Sequence, residues 1–402
     1  MKGMRITEVI MKRQAICFGI CLMILLACFS GCSVTKFGII STAAPVHLET
    51  GGQTQPSDLE TAAPTDPVEG EFSVTFNDFG KAVVHVPGPK DPRPAYAYHF
   101  QPCVCSWICR QSLGESVEAE VRSFCDAVLR GEDSFPCTGK DNWARVHAAM
   151  HECLPLSVFV TLGGEDYDPA LLRDGSYPIT YTIPKDEFLQ KSADFQAGIA
   201  KLIANADLRE GDTDLEKALK LYTEESLRCE YDYEAYDAFK EGRYESNPYR
   251  TLMTGQGICQ DFAWSYAYLL MQAGVEASVV GSRMIDDNVH AWTVLNVDDS
   301  IFYSDVTWNL RTPYALKYFG VTDEDRYHCG VVVEENDFGY YGKILHDDLQ
   351  VTASRFAYDF PYVQWYRIDH DSQRLYYYDD PTFDVTNPKY YTDDLEVFEL
   401  RQ

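Results

Sequence analysis

Hydrophobic and polar positions first alternate regularly just after residue 71. Phe72, Val74 and Phe76 share one face of a strand, and a second apolar run follows over 82–86, which predicts a β-hairpin. Apolar residues then recur at helical spacing in three stretches, with one alternating stretch among them. The predicted elements are helices over 117–128, 143–154 and 185–206 and a strand over 177–183. This mixture indicates an α+β region.

A helix with a clear start signal is predicted near residue 213. Thr213 and Glu216 have the capping-box arrangement, in which each side chain bonds the other residue's backbone N–H. An apolar stripe follows at helical spacing, formed by Leu215, Ala218, Leu219 and Tyr222. We place the start of the main folded core here.

Cys259 stands at the predicted start of another helix, which we expect to span 259–273. Gly255 and Gly257 precede it and allow a tight loop. At a helix N-terminus the macrodipole and the free amides stabilise a thiolate, and the same amides can hold an oxyanion. Asp261 opposes this, because it places a negative charge close by. A thiolate at Cys259 therefore needs a positive partner.

His290 is the candidate partner, and the strand pattern brings Asp305 to it. Strands are predicted over 277–281, 290–297 and 301–308, with the last two joined by a turn at Asp298 and Asp299. If Val297 pairs with Ser300, Asp305 falls opposite Trp292, which shares a face with His290. A slip of one residue would put the two side chains on opposite faces.

The three side chains form a coherent nucleophilic system. Asp305 would orient the imidazole, His290 would take the thiol proton, and Cys259 would attack an acyl carbon. A cysteine at a helix start or a histidine in a strand is usually structural when it stands alone. Their combination with an aspartate at hairpin spacing indicates catalysis.

The segment 255–308 resembles the transglutaminase-like superfamily. It contains, in the family's order, Gly257-Ile258-Cys259 with Phe262-Ala263, then Ala273-Gly274-Val275, His290-Ala291-Trp292 and Asp305-Val306-Thr307-Trp308. The resemblance implies an α+β, papain-like core, in which the helix bearing the nucleophilic cysteine packs on an antiparallel sheet. It also implies a catalytic triad of Cys259, His290 and Asp305.

The segment 215–233 resembles the helix and Tyr-Asp element that precede this core in the family. On that basis Tyr231 is the candidate oxyanion donor and Tyr233 the alternative. The calcium-site pattern of the animal enzymes is not recognisable, and we expect neither a cofactor nor a metal.

Net charge and cysteine spacing argue against nucleic acid and zinc as partners of this chain. The formal net charge is −28, and without a basic stripe such a chain repels phosphate backbones, so nucleic acid is not an expected partner. Cys103, Cys105 and Cys109 lack paired C-x-x-C spacing, which argues against zinc. We expect the non-catalytic cysteines to be buried or free thiols, with room for one disulfide.

The N-terminus has the pattern of an exported lipoprotein. A basic pair precedes the apolar run 15–27, which is short for a membrane span and typical of a signal peptide over 1–31. Cys28 and Cys32 both follow small residues, as the lipid-receiving cysteine does, and Leu25 favours Cys28. The alternatives are an uncleaved anchor and an ordinary cleaved signal.

The remaining boundaries follow from composition. A Thr/Pro/acidic tether is predicted over 32–71, an N-terminal α+β region over 72–206, a transglutaminase-like catalytic domain over 207–330, and an aromatic and acidic, β-rich extension over 331–402. A hairpin of 366–368 against 375–378 is predicted in the extension. Its aromatics are expected mainly to pack, with glycan binding as the alternative.

These observations predict an extracytoplasmic cysteine enzyme, lipid-anchored to the outer face of the cytoplasmic membrane. It would act on amide or peptide bonds through a thioester, as a peptidase or amidase, with a protein or peptide substrate such as a cell-wall peptide. Hydrolysis is favoured because no amine-acceptor signature is recognisable. The alternatives are cross-linking by protein-glutamine gamma-glutamyl transfer and a non-catalytic surface binding module with the same fold.

Overall fold

The structure is a computed structural model that describes residues 73–85, 91–164, 166–298, 300–333, 363–379 and 396–399. All of these lie in one unit, Asp66–Gln402. The predicted signal peptide, the tether, and the lipidation candidates Cys28 and Cys32 lie outside the described residues. Among the described helices, none is long and apolar enough to cross a membrane.

The N-terminal region combines helices with short strand pairs, as predicted. The predicted hairpin is present as β1 against β2, and the predicted strand over 177–183 is divided, because β5 pairs with β3 whereas β6 pairs with β4. The elements are β1 (Ser73–Phe76), β2 (Ala82–His85), α1 (Trp107–Leu113), α2 (Val117–Leu129), β3 (Ser134–Pro136), α3 (Lys140–Cys153), a 3₁₀ helix (Pro155–Phe159), β4 (Val160–Thr161), β5 (Ser176–Pro178), β6 (Thr180–Tyr181) and α4 (Lys185–Asn205).

The central layer pairs two helices with a four-stranded antiparallel sheet. Helix α5 (Asp214–Arg228) begins with the predicted capping box, and the later helix α8 (Cys259–Gln272) packs against it and against the sheet. The Thr293 hydroxyl donates to the Ala263 carbonyl at 3.0 Å, which ties sheet to helix. The strands are β9 (Glu276–Arg283), β10 (Val289–Val297), β11 (Ser300–Ser304) and β12 (Phe319–Val321), in the order β12-β11-β10-β9. This is the predicted α+β, papain-like core.

Between α5 and α8 the chain forms elements that the sequence pattern did not predict. Two short helices, α6 (Tyr233–Lys240) and α7 (Pro248–Thr254), flank the polar loop. A parallel pair of two-residue strands, β7 (Glu230–Tyr231) and β8 (Gln256–Gly257), lies just before α8. Two more short helices follow β11, namely α9 (Val306–Asn309) and α10 (Asp323–His328).

The C-terminal hairpin is present and packs on the central layer. It is formed by β13 (Val363–Asp369) and β14 (Arg374–Asp379), and β15 (Glu396–Glu399) pairs with β14. The buried Trp365 indole donates to the Thr223 hydroxyl of α5 at 2.9 Å. One hydrophobic core runs from Cys103 to Tyr377, so residues from all three predicted folded regions share it. The boundaries at 206 and 330 stay predictions.

Candidate active site

Cys259 is the first residue of α8, as predicted, and its side chain is buried. Two glycines shape the approach to it. Gly255 has φ +73°, and a Cβ on Gly257 would lie 2.4 Å from the Thr251 hydroxyl oxygen, so only glycine fits there without movement. Because Cys259 is the first residue of α8, its thiol lies beside backbone amides that have no acceptor within the helix.

Both carboxylate oxygens of Asp261 accept hydrogen bonds from nearby residues. Its Oδ1 accepts from the Ser246 hydroxyl at 2.5 Å and the Asn247 amide at 2.7 Å. Its Oδ2 accepts from the Tyr244 hydroxyl at 2.7 Å and the Ile258 amide at 2.9 Å. Burial raises the pKa of this carboxyl, and the hydrogen bonds partly offset that rise. With four donors around it, the carboxylate serves as a structural anchor of the helix start, and its opposition to a thiolate is reduced.

The register of β10 and β11 agrees with the prediction, but β11 is shorter. Val297 pairs with Ser300 and Thr293 with Ser304. The predicted strand over 301–308 is wrong beyond Ser304, because Asp305 caps a helical turn, α9. The Asp305 Oδ1 accepts from the amides of Thr307 at 2.7 Å and Trp308 at 3.3 Å. The N-cap outweighs the strand preference of the following Val, Thr and Trp.

His290 lies in β10 between Asp305 and two indole rings. Its Nε2 is 2.6 Å from the Asp305 Oδ2. The imidazole stacks on Trp308 with the ring centroids 4.7 Å apart and an interplanar angle of 14°, and it meets Trp292 edge to face at 5.8 Å. His290 is 9% exposed and Asp305 is 2% exposed. The ring is therefore fixed at its edge and on its face.

The electrostatics of His290 favour its protonated form. Burial by itself lowers its pKa, but the charge of Asp305, the hydrogen bond with Asp305 and the hydrogen bond with Cys259 raise it to about 10. Because Nε2 is engaged by Asp305, Nδ1 is the ring atom that remains for the thiol. The structure thus brings the three predicted site residues into one chain of contacts.

The thiol opens into a cavity of about 330 Å³. Cys259 and His290 line it, together with Tyr236 and Phe239 of α6, Trp264 of α8 and Arg283 of β9. Sequence reasoning did not identify these wall residues, since they converge from separate elements.

A larger cavity, of about 900 Å³, lies next to the first. The two share Phe239, Gln260 and Trp264. The larger one is lined on its other side by residues of α3, including His147 and His151. We call the two adjacent cavities together the cleft; they reach from the thiol to the N-terminal region.

Tyr231 lies beside the thiol. Its strand β7 pairs with β8 so that Tyr231 is opposite Gly257, two residues before Cys259. Burial and the electrostatic interaction with Cys259 raise the pKa of the half-buried Tyr231 phenol. Tyr233, the alternative, is 66% exposed and packs on Tyr231 with the ring centroids 5.0 Å apart. Oxyanion binding by Tyr231 stays a prediction.

Two groups of possible metal ligands occur among the described residues, and neither includes Cys259 or His290. One consists of Asp212, Glu216 and His370. It is already neutralised by protein cations, since the Asp212 carboxylate lies 2.9 Å from Arg93 and 2.7 Å from Lys220. The other consists of three cysteines, which are considered below.

A family model matches the part of the chain that contains the three site residues. Residues 203–308 match the model of the transglutaminase-like superfamily. A solved structure described as "Crystal structure of a TGase" aligns at 17% identity over 33% of this chain and 40% of that chain, with a TM-score of 0.26. No curated protein matches the chain significantly. Residues 203–308 form a transglutaminase-like domain, a cysteine-enzyme type of fold, and this range contains Cys259, His290 and Asp305.

Proposed function

We propose that this protein is an extracytoplasmic cysteine enzyme that cleaves amide or peptide bonds through a thioester acyl-enzyme. The observation that carries the proposal is the chain of contacts from Asp305 through His290 to Cys259 at the start of α8. A transglutaminase-like domain over the same residues supports it. The non-catalytic binding module lacks comparable support, because such a module has no need of a buried imidazole–carboxylate pair beside a thiol.

In the first half-reaction the Cys259 sulfur attacks the carbonyl carbon, and a C–S bond forms. The Nδ1 proton of His290 passes to the departing nitrogen as the C–N bond breaks, and the amine leaves. The oxygen of the tetrahedral intermediate would be held by amides at the start of α8 and by the Tyr231 hydroxyl.

In the second half-reaction His290 takes a proton from water, and the hydroxide oxygen attacks the thioester carbon. The C–S bond breaks, the acid is released, and the thiolate is regenerated. Arg283 supports water over a lysine amine as acceptor, since it lines the same cavity as Cys259 and its charge would disfavour a second cation there. Its partner Asp287, at 2.9 Å, reduces this effect.

The shape of the cleft supports an extended substrate. The two cavities of about 330 and 900 Å³ meet at Phe239, Gln260 and Trp264. A small amide would fill only the first, whereas a peptide could occupy both, with aromatic side chains packing at the junction. A peptide of the cell wall is one substrate of this class.

We also propose that the mature chain is held at the outer face of the cytoplasmic membrane by lipid on Cys28 or, alternatively, Cys32. The support is the sequence pattern alone. Mass spectrometry of the mature N-terminus should find a diacylglyceryl-cysteine at one of these positions. An unmodified N-terminus further downstream would exclude the anchor.

The enzyme proposal is tested by labelling intact protein with an electrophilic acyl-amide probe and mapping the modified residue. We expect modification at Cys259, loss of labelling in Cys259→Ala, and a strong reduction in His290→Ala. Cys329→Ser is the matched control, because this partly exposed cysteine is outside the cleft. Equal labelling of Cys259 and Cys329 in the wild type would contradict the proposal.

The acceptor is tested separately with a peptide library, incubated with and without a labelled primary amine. Hydrolysis predicts new carboxyl ends in both reactions and little incorporated amine. Predominant amine incorporation at modest amine concentration would replace the hydrolase with a transferase. Labelling of Cys259 without turnover by either route would favour the binding module.

A further inference from the structure

A second cluster of thiols lies in the N-terminal region, away from the cleft's nucleophile. Five cysteines from three separate parts of the chain meet there. They are Cys103 and Cys105 before α1, Cys109 in α1, Cys125 in α2 and Cys153 at the end of α3. Each is less than 9% exposed. The catalytic proposal gives these residues no role.

Three of the thiols converge on one point, and a fourth lies beside one of them. The sulfur atoms of Cys105, Cys109 and Cys153 all lie within 4.8 Å of one another. The Cys103 thiol interacts with the thiols of Cys153 and Cys125. Zinc–sulfur bonds of about 2.3 Å in a tetrahedron require sulfur atoms about 3.8 Å apart. The sulfur atoms of Cys105, Cys109 and Cys153 are close enough for three corners of such a tetrahedron, and Cys103, which interacts with Cys153, is the candidate for the fourth.

The convergence is unlike that of a disulfide framework. A disulfide would pair Cys153 with one of its three thiol neighbours and leave the other two buried as weakly bonded thiols. A tetrahedral metal ion gives all four sulfur atoms the same partner. Four soft thiolate ligands with tetrahedral geometry are the donor set that selects zinc.

Hydrogen bonds around the cluster hold its two halves in register. The Val104 amide donates to the Cys153 carbonyl at 3.3 Å, and the Ser106 amide donates to the Glu152 carboxylate at 3.3 Å. The Cys109 amide donates to the Ser106 hydroxyl at 3.0 Å, which fixes the first turn of α1. Such outer contacts orient metal ligands.

Positive charge is present where a tetrathiolate site would need it. Four thiolates and one zinc ion carry two net negative charges, which are costly to bury without compensation. Arg110 donates to the Cys105 carbonyl and interacts electrostatically with Cys105, and Arg122 interacts electrostatically with Cys103. Arg110 is also paired with Glu276 at 2.5 Å and Arg122 with Glu118 at 2.9 Å, so the two guanidinium groups offset the charge of the site in part.

We propose that Cys103, Cys105, Cys109 and Cys153 bind one zinc ion and that the site is structural. Binding would release the four thiol protons to solvent. The site would fasten the segment before α1 to the end of α3, which lines the larger cavity of the cleft. It would also reach the sheet, because the Arg110 guanidinium lies 2.5 Å from the Glu276 carboxylate at the start of β9.

The test is the metal content of full-length protein purified with a non-chelating reductant, measured by plasma mass spectrometry. We expect one zinc ion per chain in the wild type and a loss of at least fivefold in Cys153→Ser and Cys109→Ser. Cys137→Ser is the matched control, since Cys137 is buried but lies outside the cluster. Cys125→Ser should keep its zinc, which assigns the fourth ligand to Cys103.

A second measurement covers variants that fail to fold. Cobalt exchanged into the wild-type protein should give sulfur-to-cobalt charge-transfer absorption and intense visible bands of a tetrahedral thiolate site. Zinc below about 0.2 per chain, with these thiols free or with Cys153 in a disulfide, would overturn the proposal. Iron with acid-labile sulfide in place of zinc would overturn it as well.

Discussion

The two carboxylate oxygens of Asp305 have different partners: Oδ1 caps α9, and Oδ2 contacts His290. Replacing Asp305 by asparagine tests the two roles separately. Oδ1 accepts two backbone amides of α9, so an amide oxygen must take that position. The amide nitrogen of Asp305→Asn then faces the Nε2 atom of His290. Nε2 must accept a hydrogen bond, Nδ1 must carry the imidazole proton, and the Cys259 thiol has no base to receive its own proton.

The loss of reactivity can be estimated from the free energy needed to put the imidazole proton back on Nε2, the tautomer in which Nδ1 can accept the thiol proton. Placing a proton on Nε2 against the asparagine NH₂ buries two opposed donors, which costs about 1–3 kcal/mol, and the charge-assisted bond, worth about 1.5–3 kcal/mol, is lost as well. The sum of about 2.5–6 kcal/mol corresponds to a rate reduced about 10²–10⁴-fold. We expect this reduction in the alkylation rate of Cys259 at pH 7.

The assay is the iodoacetamide alkylation rate of individual cysteines, read by peptide mass spectrometry, with Cys329 in the same sample as the internal reference. Asp305→Asn keeps the cap of α9 but loses the charged pair with His290, so its thermal stability at pH 7 should fall by the contribution of that pair alone. Asp305→Ala should lose about 1 kcal/mol more of stability, since it removes the cap. A rate for Cys259 in Asp305→Asn within tenfold of the wild type would refute the tautomer argument.

Three further predictions concern the same elements. The raised pKa of His290 means that its contribution to stability is complete below about pH 6.5 and is lost as the pH rises through about 10. In urea titrations the free energy of unfolding should therefore fall more steeply from pH 7 to 10 in the wild type than in His290→Gln. Parallel curves would contradict this. Asp261→Asn should lower the free energy of unfolding by about 1–3 kcal/mol, because either the Asn247 amide or the Ile258 amide would then face an NH₂ group. Urea titration measures this change, and a value under about 0.5 kcal/mol would argue against Asp261 as the anchor of the start of α8. Gly257→Ala should cost about 1–3 kcal/mol, since the new Cβ would lie 2.4 Å from the Thr251 hydroxyl oxygen; an unchanged melting temperature would mean that this segment relaxes freely.

The parts of the site that were predictable depend on short stretches of sequence. The start of α8 at Cys259 follows from glycines before an apolar helical stripe. The pairing of β10 with β11 follows from a two-residue turn, and Asp298 has the positive φ of 51° that such turns use. Once the turn is fixed, the period of two along each strand brings Asp305 near His290. Local rules therefore carried the argument as far as the three site residues.

The parts that were not predictable depend on contacts between distant segments. Helices α6 and α7 are too short for a periodic apolar stripe to stand out, yet Phe239 of α6 forms a wall of the cleft. The thiol cluster was dismissed on the spacing of Cys103, Cys105 and Cys109 alone. The fourth proposed zinc ligand, Cys153, comes from the far end of α3, and only the packing of that helix brings it to the others.

The early end of β11, which the sequence pattern did not predict, explains how His290 is held. A strand continuing through residue 308 would have pointed Trp308 away from its observed place, whereas the turn of α9 brings this indole onto the imidazole face at 4.7 Å. The same turn requires a cap, and Asp305 supplies it with one oxygen while the other meets Nε2. Carboxylate and indole thus come from one local structure and restrain the ring in two directions. Rotation of the imidazole away from Cys259 would break both contacts at once, so the cap that ends β11 also directs Nδ1 at the thiol.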